Sequence, residues 1–399
     1  MNSGASTRRV AVTGLGVVSP CGIGRDAYWS GLIGPAPIGE RRVMGFDPEP
    51  FYANPKEARR ADRFTQFAIA AAIEAIDQAG GPHDVVGDPE RAAVILGTGV
   101  GGLETLEEQI QTLLEKGARR VSPFLVPMMM ANAASAALSM RFGLRGPCET
   151  TVTACAAGTH AIGNAARLIA TGRCDVALTG GSEASMTPTS LAGFGNMTAL
   201  SSTGVSQPFG AGRDGFMIAE GAAVLVLEEL ERAKGRGAII LGEIVGAASN
   251  ADAHHITAPS PGGTGAVTCM ELALIDAGLA PSDVVQINAH GTSTPLNDAA
   301  EAEAIAKVFG TPGGPPVTST KGVTGHALGA AGALEAAAVL LSIAHSLIPP
   351  TAGTSERDPE IAPIDLVVGE ARPWTPGPAL SNSFGFGGHN GCLVISPSA

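Results

Sequence analysis

Aromatic side chains make up only 4% of the 399 residues, and lysine plus arginine (25) are outnumbered by aspartate plus glutamate (37), for a net charge of -12. So acidic a chain, so poor in stacking rings, argues against general nucleic-acid binding, which needs a basic face and aromatic platforms. Paired cysteine spacings are also missing. The six cysteines (Cys21, Cys148, Cys155, Cys174, Cys269, Cys392) form neither Cys-x-x-Cys nor a disulfide framework. They read as reduced thiols of a cytoplasmic protein, and no metal-ligand cluster is visible in the sequence. An export signal is lacking. Thr7-Arg8-Arg9 precede an apolar run, but Val10 to Val18 is short, broken by Thr13, Gly14 and Gly16, and reaches Ser19-Pro20-Cys21-Gly22 without a small-x-small cleavage site. The one long apolar stretch noted in the sequence, Pro123 to Met140, contains Pro127, Asn132, Ser135 and Ser139, too polar for a membrane span. These absences leave a soluble chain of enzyme size, and 45% hydrophobic residues with 54 glycines suffice for a large core.

What is present alternates between strand and helix patterns. Val10 to Val18 reads as a buried strand; Pro48 to Asp62 is polar and mobile-looking, and Phe64 to Ala79 has helical apolar spacing. Arg91 to Leu96 reads as a strand running into Gly97-Thr98-Gly99-Val100-Gly101-Gly102, and Leu103 to Lys116 as an amphipathic helix. Strands follow at Val176 to Leu178 and Gly221 to Glu228. The turn Ala233 to Gly237 then divides the chain into halves, residues 1–237 and 238–399. The second half repeats the order: strand Ile239 to Ala248, helix Gly265 to Ala277, strand Val284 to Ala289, helix Asp298 to Phe309 and short strand Pro316 to Ser319. An apolar helix ending near His345 comes next, then a strand containing Val367 and Val368, and a Gly-rich loop between strands in Ala379 to Val394. This alternation implies an α/β fold with largely parallel or mixed sheets covered by helices, and the repeated order suggests duplication.

The chemistry centres on Thr151 to Ala170. Thr150 to Thr153 read as a short strand, and after Gly158 the residues Ala161, Ile162, Ala165, Leu168 and Ile169 recur at helical spacing. Cys155 therefore sits at a strand-to-helix turn among Ala154, Ala156 and Gly158. Small neighbours admit a carbonyl, while the helix's free N–H groups and positive end favour a thiolate and an oxyanion. A buried inert thiol remains the alternative at this point. Gly97-x-Gly99-x-x-Gly102 follows a strand and opens a helix, as a dinucleotide fingerprint does. That fingerprint also needs a further strand with an acidic residue about 20 residues on, but here Lys116-Gly117-Ala118-Arg119-Arg120 and Ser122-Pro123 follow. A tight, closely packed turn is the favoured reading. His290 closes a strand in Asn288-Ala289-His290-Gly291-Thr292-Ser293-Thr294-Pro295, with Asp298 and Glu301 placed to suit the next helix's dipole. In Lys321-Gly322-Val323-Thr324-Gly325-His326, a Lys and a His five apart lead into an alanine-rich helix containing Glu335. That carboxylate needs Lys321 or His326 as partner if buried. Cys155, His290, His326 and Lys321 thus all lie at loop ends, where catalytic groups gather.

These segments, with Asn382-Ser383-Phe384-Gly385-Phe386-Gly387-Gly388, resemble the β-ketoacyl-[acyl-carrier-protein] synthases, most closely the type II elongating branch, along Val10 to Ile395. Thiolases use a second Cys, and initiating and chalcone-type synthases use an Asn where His326 stands. The resemblance implies a thiolase-like fold, two pseudo-duplicated halves in α-β-α-β-α layers, in a homodimer or, in a polyketide or polyene pathway, a heterodimer with a chain-length factor. It implies decarboxylative condensation of an acyl thioester with malonyl-[acyl-carrier protein], and no cofactor, phosphopantetheine arriving on the acyl carrier protein. Cys155 is then the nucleophile, with its N–H and that of Phe386 forming the oxyanion hole. His290 and His326 hold the enolate, and Lys321 with Glu335 tunes them. Phe386 is a gate with Phe194 near it, and Thr292, Thr294 and Thr257 bind the phosphopantetheine arm. Two basic patches, Lys56, Arg59, Arg60 and Arg63 and then Arg119 and Arg120, are candidate docks for an acidic carrier protein, a solvated helix face being the alternative. Thr198 stands where many relatives have another Arg. His389, His160 and the pair His254-His255 read as structural or lining residues, and Met128 to Met130 as packing at the pocket wall or dimer face.

Overall fold

The computed structural model describes residues 8–310 and 314–398. Thr7 of the basic triplet lies outside them, while Arg8 pairs with Asp175 and Arg9 with Glu243. Aliphatic and β-branched runs form ten principal strands. In the first half these are β1 (Val10–Ser19), β2 (Ala92–Gly97), β3 (Cys148–Thr151), β4 (Val176–Glu183) and β5 (Gly221–Glu229). In the second they are β6 (Gly242–Ala251), β7 (Gln286–Asn288), β8 (Val317–Thr318), β9 (Ala379–Gly385) and β10 (His389–Ser396). The helices that matter are α1 (Arg63–Gln78), α2 (Leu103–Lys116), α3 (Leu125–Met129), α4 (Ala133–Phe142), α5 (Ala157–Ala170), α6 (Thr264–Ala277), α7 (Pro295–Phe309) and α8 (Ala331–His345).

The duplication suggested by element order is explicit in the pairing. The first half is ordered β3-β2-β4-β5-β1 and the second β8-β7-β9-β10-β6. In each, the first two pairings are parallel and the next two antiparallel. The halves join edge to edge where Ala11 and Val12 of β1 meet Glu243 and Gly242 of β6. Side chains alternate along these strands because successive residues point to opposite faces. Leu225 and Leu227 of β5 face one core and Val224 and Val226 another. The first core also receives Leu393 and Ile395 of β10, Ile162 and Ile169 of α5, and Leu334, Val339 and Leu340 of α8. Helices α5 and α8 therefore lie between the two half-sheets. Outside them, Phe64, Phe67 and Ile76 of α1 cover the first half-sheet, and Met270, Ala273 and Leu274 of α6 the second. This is the α-β-α-β-α layering, and each large aliphatic side chain buried in it contributes roughly 1.5–3 kcal/mol.

The central layer accounts for the glycine and alanine wealth. A side chain at Gly158 of α5 would come within 3.0 Å of the backbone of Gly329 and Ala333, so the two helices touch main chain to main chain. That contact brings their N-terminal ends, which follow β3 and β8, into one place.

Several sequence expectations need correction. The longest apolar helical stretch is Leu328–His345, not Pro123 to Met140; it is 83% buried among protein, as a core helix should be. Pro123 to Met140 divides between α3 and α4. Val367 and Val368 form no strand: Val317 forms only an isolated bridge to Leu366, because the chain turns away after one contact. The strand expected at Val176 to Leu178 runs through its glycines to Glu183, since Gly180 and Gly181 leave room for neighbouring main chain. The segment Pro48 to Asp62 holds two short helical turns, capped in the second by Asn54.

Candidate active site

Cys155 lies in a single 3-10 turn, Ala154–Ala156, that feeds directly into α5. Ala154 has φ 50, a left-handed backbone rarely tolerated by a residue with a Cβ, so the turn is strained as a nucleophile-bearing elbow is. His326 arrives from the equivalent place in the other half, just before α8. Its Nε2 is 3.0 Å from the Cys155 Sγ. His290 follows β7, and its ring lies edge-on to that of His326, centroids 5.3 Å apart. The sulfur and the two imidazoles, 171 and 135 residues apart in sequence, thus share one cavity of about 620 Å³.

Lys321 orders the His290 ring. It is 1% exposed and its ammonium contacts the Glu335 carboxylate, itself 2% exposed, while donating to the His290 carbonyl at 2.6 Å. It also lies 3.3 Å from His290 Nδ1. An ammonium only donates, so His290 Nδ1 accepts and the ring proton is on Nε2, facing the cavity. Burial first, then the Lys321 charge, depresses both histidines well below the ordinary imidazole range, so both are neutral at neutral pH. Burial pushes Glu335 up to about 7 against the opposing pull of Lys321. Asp298 and Glu301 do more than suit a helix dipole. Both are buried; Glu301 accepts the His290 and Gly291 N–H groups at 2.8 and 2.7 Å, and Asp298 accepts those of Phe209 and Ser293. Together they hold the histidine turn.

The thiol departs from its expected state. Its position ahead of a helix favours a thiolate, yet burial outweighs the Phe386 N–H and Lys321, and the Cys155 thiol is pushed up to about 11. It is a thiol at rest, and His326 Nε2 is the base within reach. The Nδ1 of His326 has no hydrogen-bond partner among the described residues, which leaves this ring able to carry its proton on either nitrogen. The three donor atoms lie within 4.8 Å of one another, a cluster that no spacing in the sequence displays. A metal would need the lone pair on His290 Nε2, and Lys321 at Nδ1 puts the proton there instead.

The other expected residues distribute unevenly. Thr257, Thr292, Thr294, Phe194 and Phe386 all line the cavity, and the Thr292 and Thr294 hydroxyls are 2.8 Å apart. Phe194 packs edge-on against Phe216, which packs in turn on His326. Phe386 lies between β9 and β10, with its N–H directed at the Cys155 sulfur. Gly387 donates to the Ile256 carbonyl, so the phenylalanine loop is tied to the segment carrying His254 and His255. His255 is exposed and accepts the Thr257 and Ala258 N–H groups, a turn-forming role. His160 bridges the Thr153 hydroxyl and the Asn390 carbonyl, and His389 opens β10. Met128 to Met130 lie near the surface and do not line the cavity.

In the basic patches, Lys56, Arg59, Arg60, Arg119 and Arg120 are exposed. Arg63 is not part of that surface: it turns inward to Glu220 and the Val43 carbonyl and lies over Phe67. The two patches meet, because the Arg60 guanidinium sits 4.4 Å above the ring of Phe124, four residues beyond Arg120. Glycines 97, 99 and 102 serve close packing against α5, Glu183 and the Met128 carbonyl, so the loop after β2 is the tight turn rather than a dinucleotide site. Three carboxylates escaped the sequence reading: Asp214 and Asp252, which line the cavity, and Glu183, fully buried at the end of β4. The only signal for Glu183 was an acid closing a strand otherwise without charge.

Comparison with known proteins agrees with this geometry. Residues 35–233 match the family model for the beta-ketoacyl synthase N-terminal domain and residues 241–355 that for the C-terminal domain. The chain is 46% identical to 3-oxoacyl-[acyl-carrier-protein] synthase 2 of Synechocystis, over 97% of this chain and 98% of the relative. It is 43% identical to the Staphylococcus aureus protein of the same name, over 98% and 99%. Among solved structures it superimposes on the ishigamide ketosynthase/chain length factor with a TM-score of 0.91 at 34% identity, covering 98% of this chain and all of that one. A polyketide ketosynthase solved with its acyl-carrier protein gives a TM-score of 0.87 at 32% identity, again covering 98% of this chain and all of that one. With both domain models matched in order and near-complete coverage by such relatives, this chain belongs to the β-ketoacyl synthase family.

Proposed function

We propose that the protein is a 3-oxoacyl-[acyl-carrier-protein] synthase of the elongating type, and the observation that carries this is the convergence of Cys155 Sγ with two neutral imidazoles in one apolar-walled cavity. The Cys155 sulfur attacks the acyl thioester carbonyl while its proton passes to His326 Nε2. The Cys155 and Phe386 N–H groups receive the oxyanion. Collapse expels the phosphopantetheine thiolate, which takes the proton from His326 and leaves an acyl-Cys thioester. Malonyl-carrier protein then enters. Loss of CO₂ puts the electron pair on the thioester as an enolate, and the ring N–H groups of His290 and His326 hold its oxygen. The enolate carbon attacks the acyl-Cys carbonyl, releasing the Cys155 thiolate, which is reprotonated, and a 3-oxoacyl chain two carbons longer. Neutral rings suit this step, because a full cation would overstabilise the enolate before it attacks. The direct test is intact-protein mass spectrometry after mixing with acyl-carrier proteins of graded length, followed by malonyl-carrier protein. An acyl group on Cys155 that leaves as 3-oxoacyl product is expected; no acylation with any chain would overturn the assignment.

The acyl carrier protein is the expected partner, and the joined surface of Arg59, Arg60, Arg119 and Arg120 is its expected dock. Reversing Arg60 and Arg120 to Glu together should weaken carrier-protein binding at least about tenfold at low salt, less at high salt, because such charges act mainly on encounter and are screened. Titration at two salt concentrations checks this, and an unchanged affinity would remove the dock.

A second copy of this chain is the expected neighbour along β3. That strand ends the sheet order, so one edge has unpaired N–H and C=O groups, and Val126, Met130, Met140 and Val152 are exposed nearby. A ketosynthase subunit paired with a chain-length factor is the second reading, favoured by structural neighbours of that kind, one at 27% identity. The 43–46% identity to elongating synthases favours the first.

A further inference from the structure

Glu183 is fully buried at the end of β4, and nothing in the proposed reaction yet uses it. Its Oε2 accepts the N–H of Gly99 at 2.6 Å and that of Gly329 at 3.1 Å. Its Oε1 accepts the Ser185 hydroxyl at 2.5 Å and lies 3.5 Å from that of Thr98. These donors come from both halves of the molecule. Gly99 belongs to the loop after β2, and Gly329 to the turn between His326 and α8. Between His326 and Gly329 stands Leu328 with φ 43, a strained conformation that persists only when its surroundings over-determine it. Gly99, Leu328, Cys155 and His326 all line the same cavity. A side chain at Gly99 would come within 2.7 Å of the Glu183 carboxylate, so the loop is glycine where the acid must approach.

We propose that Glu183 is a positioning residue of the condensation: one carboxylate ties the loop after β2 to the turn carrying His326, fixing the thiol–imidazole approach and the adjoining cavity wall. The inference rests on the condensing reading for its consequence, not for its geometry. Burial lifts Glu183 to about 7 against its four donors, and where ionised it pushes the Cys155 thiol further up. The other charged or titratable groups around that sulfur are Lys321, Glu335, His290 and His326.

The test uses three variants of the full chain. Glu183→Gln keeps the volume but removes the charge and turns an amide N–H₂ toward a backbone donor. Glu183→Asp keeps the charge and withdraws it by one methylene. Ser185→Ala removes a single donor and leaves the carboxylate. Single-turnover acyl transfer to Cys155 should slow about 10–100-fold in both Glu183 variants, the scale of loss that misplacing reacting groups by up to about 1 Å produces. The pH profile of Cys155 alkylation by iodoacetamide should move to lower pH in Glu183→Gln, because a neighbouring negative charge has gone, and stay near wild type in Glu183→Asp. In Ser185→Ala it should also stay near wild type, because the carboxylate, even with one donor fewer, is still ionised where the thiol titrates. A fold defect alone does not shift the thiol profile in Glu183→Gln while sparing the two variants that keep the charge. Wild-type acyl transfer by Glu183→Gln, or an alkylation profile unmoved in Glu183→Gln, would overturn the proposal. Alkylation needs no acyl substrate, so that arm decides the electrostatic contact separately from the condensing assignment.

Discussion

Cys155→Ala is expected to eliminate acyl loading and to reduce condensation by on the order of 10⁴-fold or more, the scale seen when a covalent nucleophile is removed from a set that works as a unit. Among the described residues that line the cavity Cys155 is the one cysteine, so in the proposed mechanism its sulfur holds the acyl group between the two half-reactions. Cys174, Cys269 and Cys392 are buried elsewhere and Cys21 and Cys148 lie outside the lining, so no other thiol can substitute. The fold should survive, because Ala154 and Ala156 already flank the position with small side chains and the elbow's strain lies in the backbone of Ala154. Intact mass after incubation with acyl-carrier protein reads the first effect directly. Cys155→Gln separates the two halves of the reaction. A glutamine amide places a carbonyl near where the acyl-Cys carbonyl would be, with its oxygen toward the Cys155 and Phe386 N–H groups. The histidines are untouched. Carbon dioxide release from malonyl-carrier protein should therefore continue, with acetyl-carrier protein as product and no chain extension. Extension at an undiminished rate by either variant would remove Cys155 from the mechanism.

The fold was legible where local physics decides it. Helix α2 begins and ends where its amphipathic period does, closed by Gly117 in a positive-φ conformation, and β1 fills its apolar run. Boundaries slipped where tertiary contacts decide. The strand β4 passes through Gly180 and Gly181 because a neighbouring carbonyl needs that space, which no propensity reveals. Val367 and Val368 are good strand residues yet form no strand, the segment making only the single bridge of Leu366 to Val317. At the site, Cys155, His290, His326 and Lys321 were legible because each stands at an element end amid small residues. Their electrostatic state was not. A thiol ahead of a helix reads as acidic in sequence, whereas its burial beside Glu183 and Glu335 reverses that, and burial is a property of the packed halves. Arg63 shows the same limit from the surface side: four basic residues in one segment look alike until Glu220, 157 residues away, claims one of them.

Lys321→Ala is the substitution expected to change stability most. It strands the Glu335 carboxylate among Ala333, Leu334, Ala336 and Ala337, and removing one member of a buried ion pair costs about 3–5 kcal/mol. The loss should depend on pH in a definite direction. Glu335 already stands at about 7, raised by burial and restrained by Lys321. Without the ammonium it rises further, so the folded variant holds its proton more tightly than the unfolded chain, whose carboxylate is of the ordinary kind. Such a group stabilises fully below the unfolded value, and that contribution is lost as pH rises through the folded one. The variant should therefore fall short of wild type by less at pH near 5 than at pH near 8, as urea unfolding at both would show; equal losses at both would mean that Glu335 does not face Lys321 as a charge. Adding Glu335→Ala should restore part of the stability, since the unpaired charge is gone. It should not restore chemistry. His290 Nδ1 would still lack the ammonium that puts the ring proton on Nε2, and decarboxylation should remain depressed by about 10²–10³-fold, the usual cost of losing one preorganised donor to an oxyanion. Stability recovered without activity would assign Lys321 two separable duties, one toward the Glu335 carboxylate and one toward the imidazole that meets the enolate.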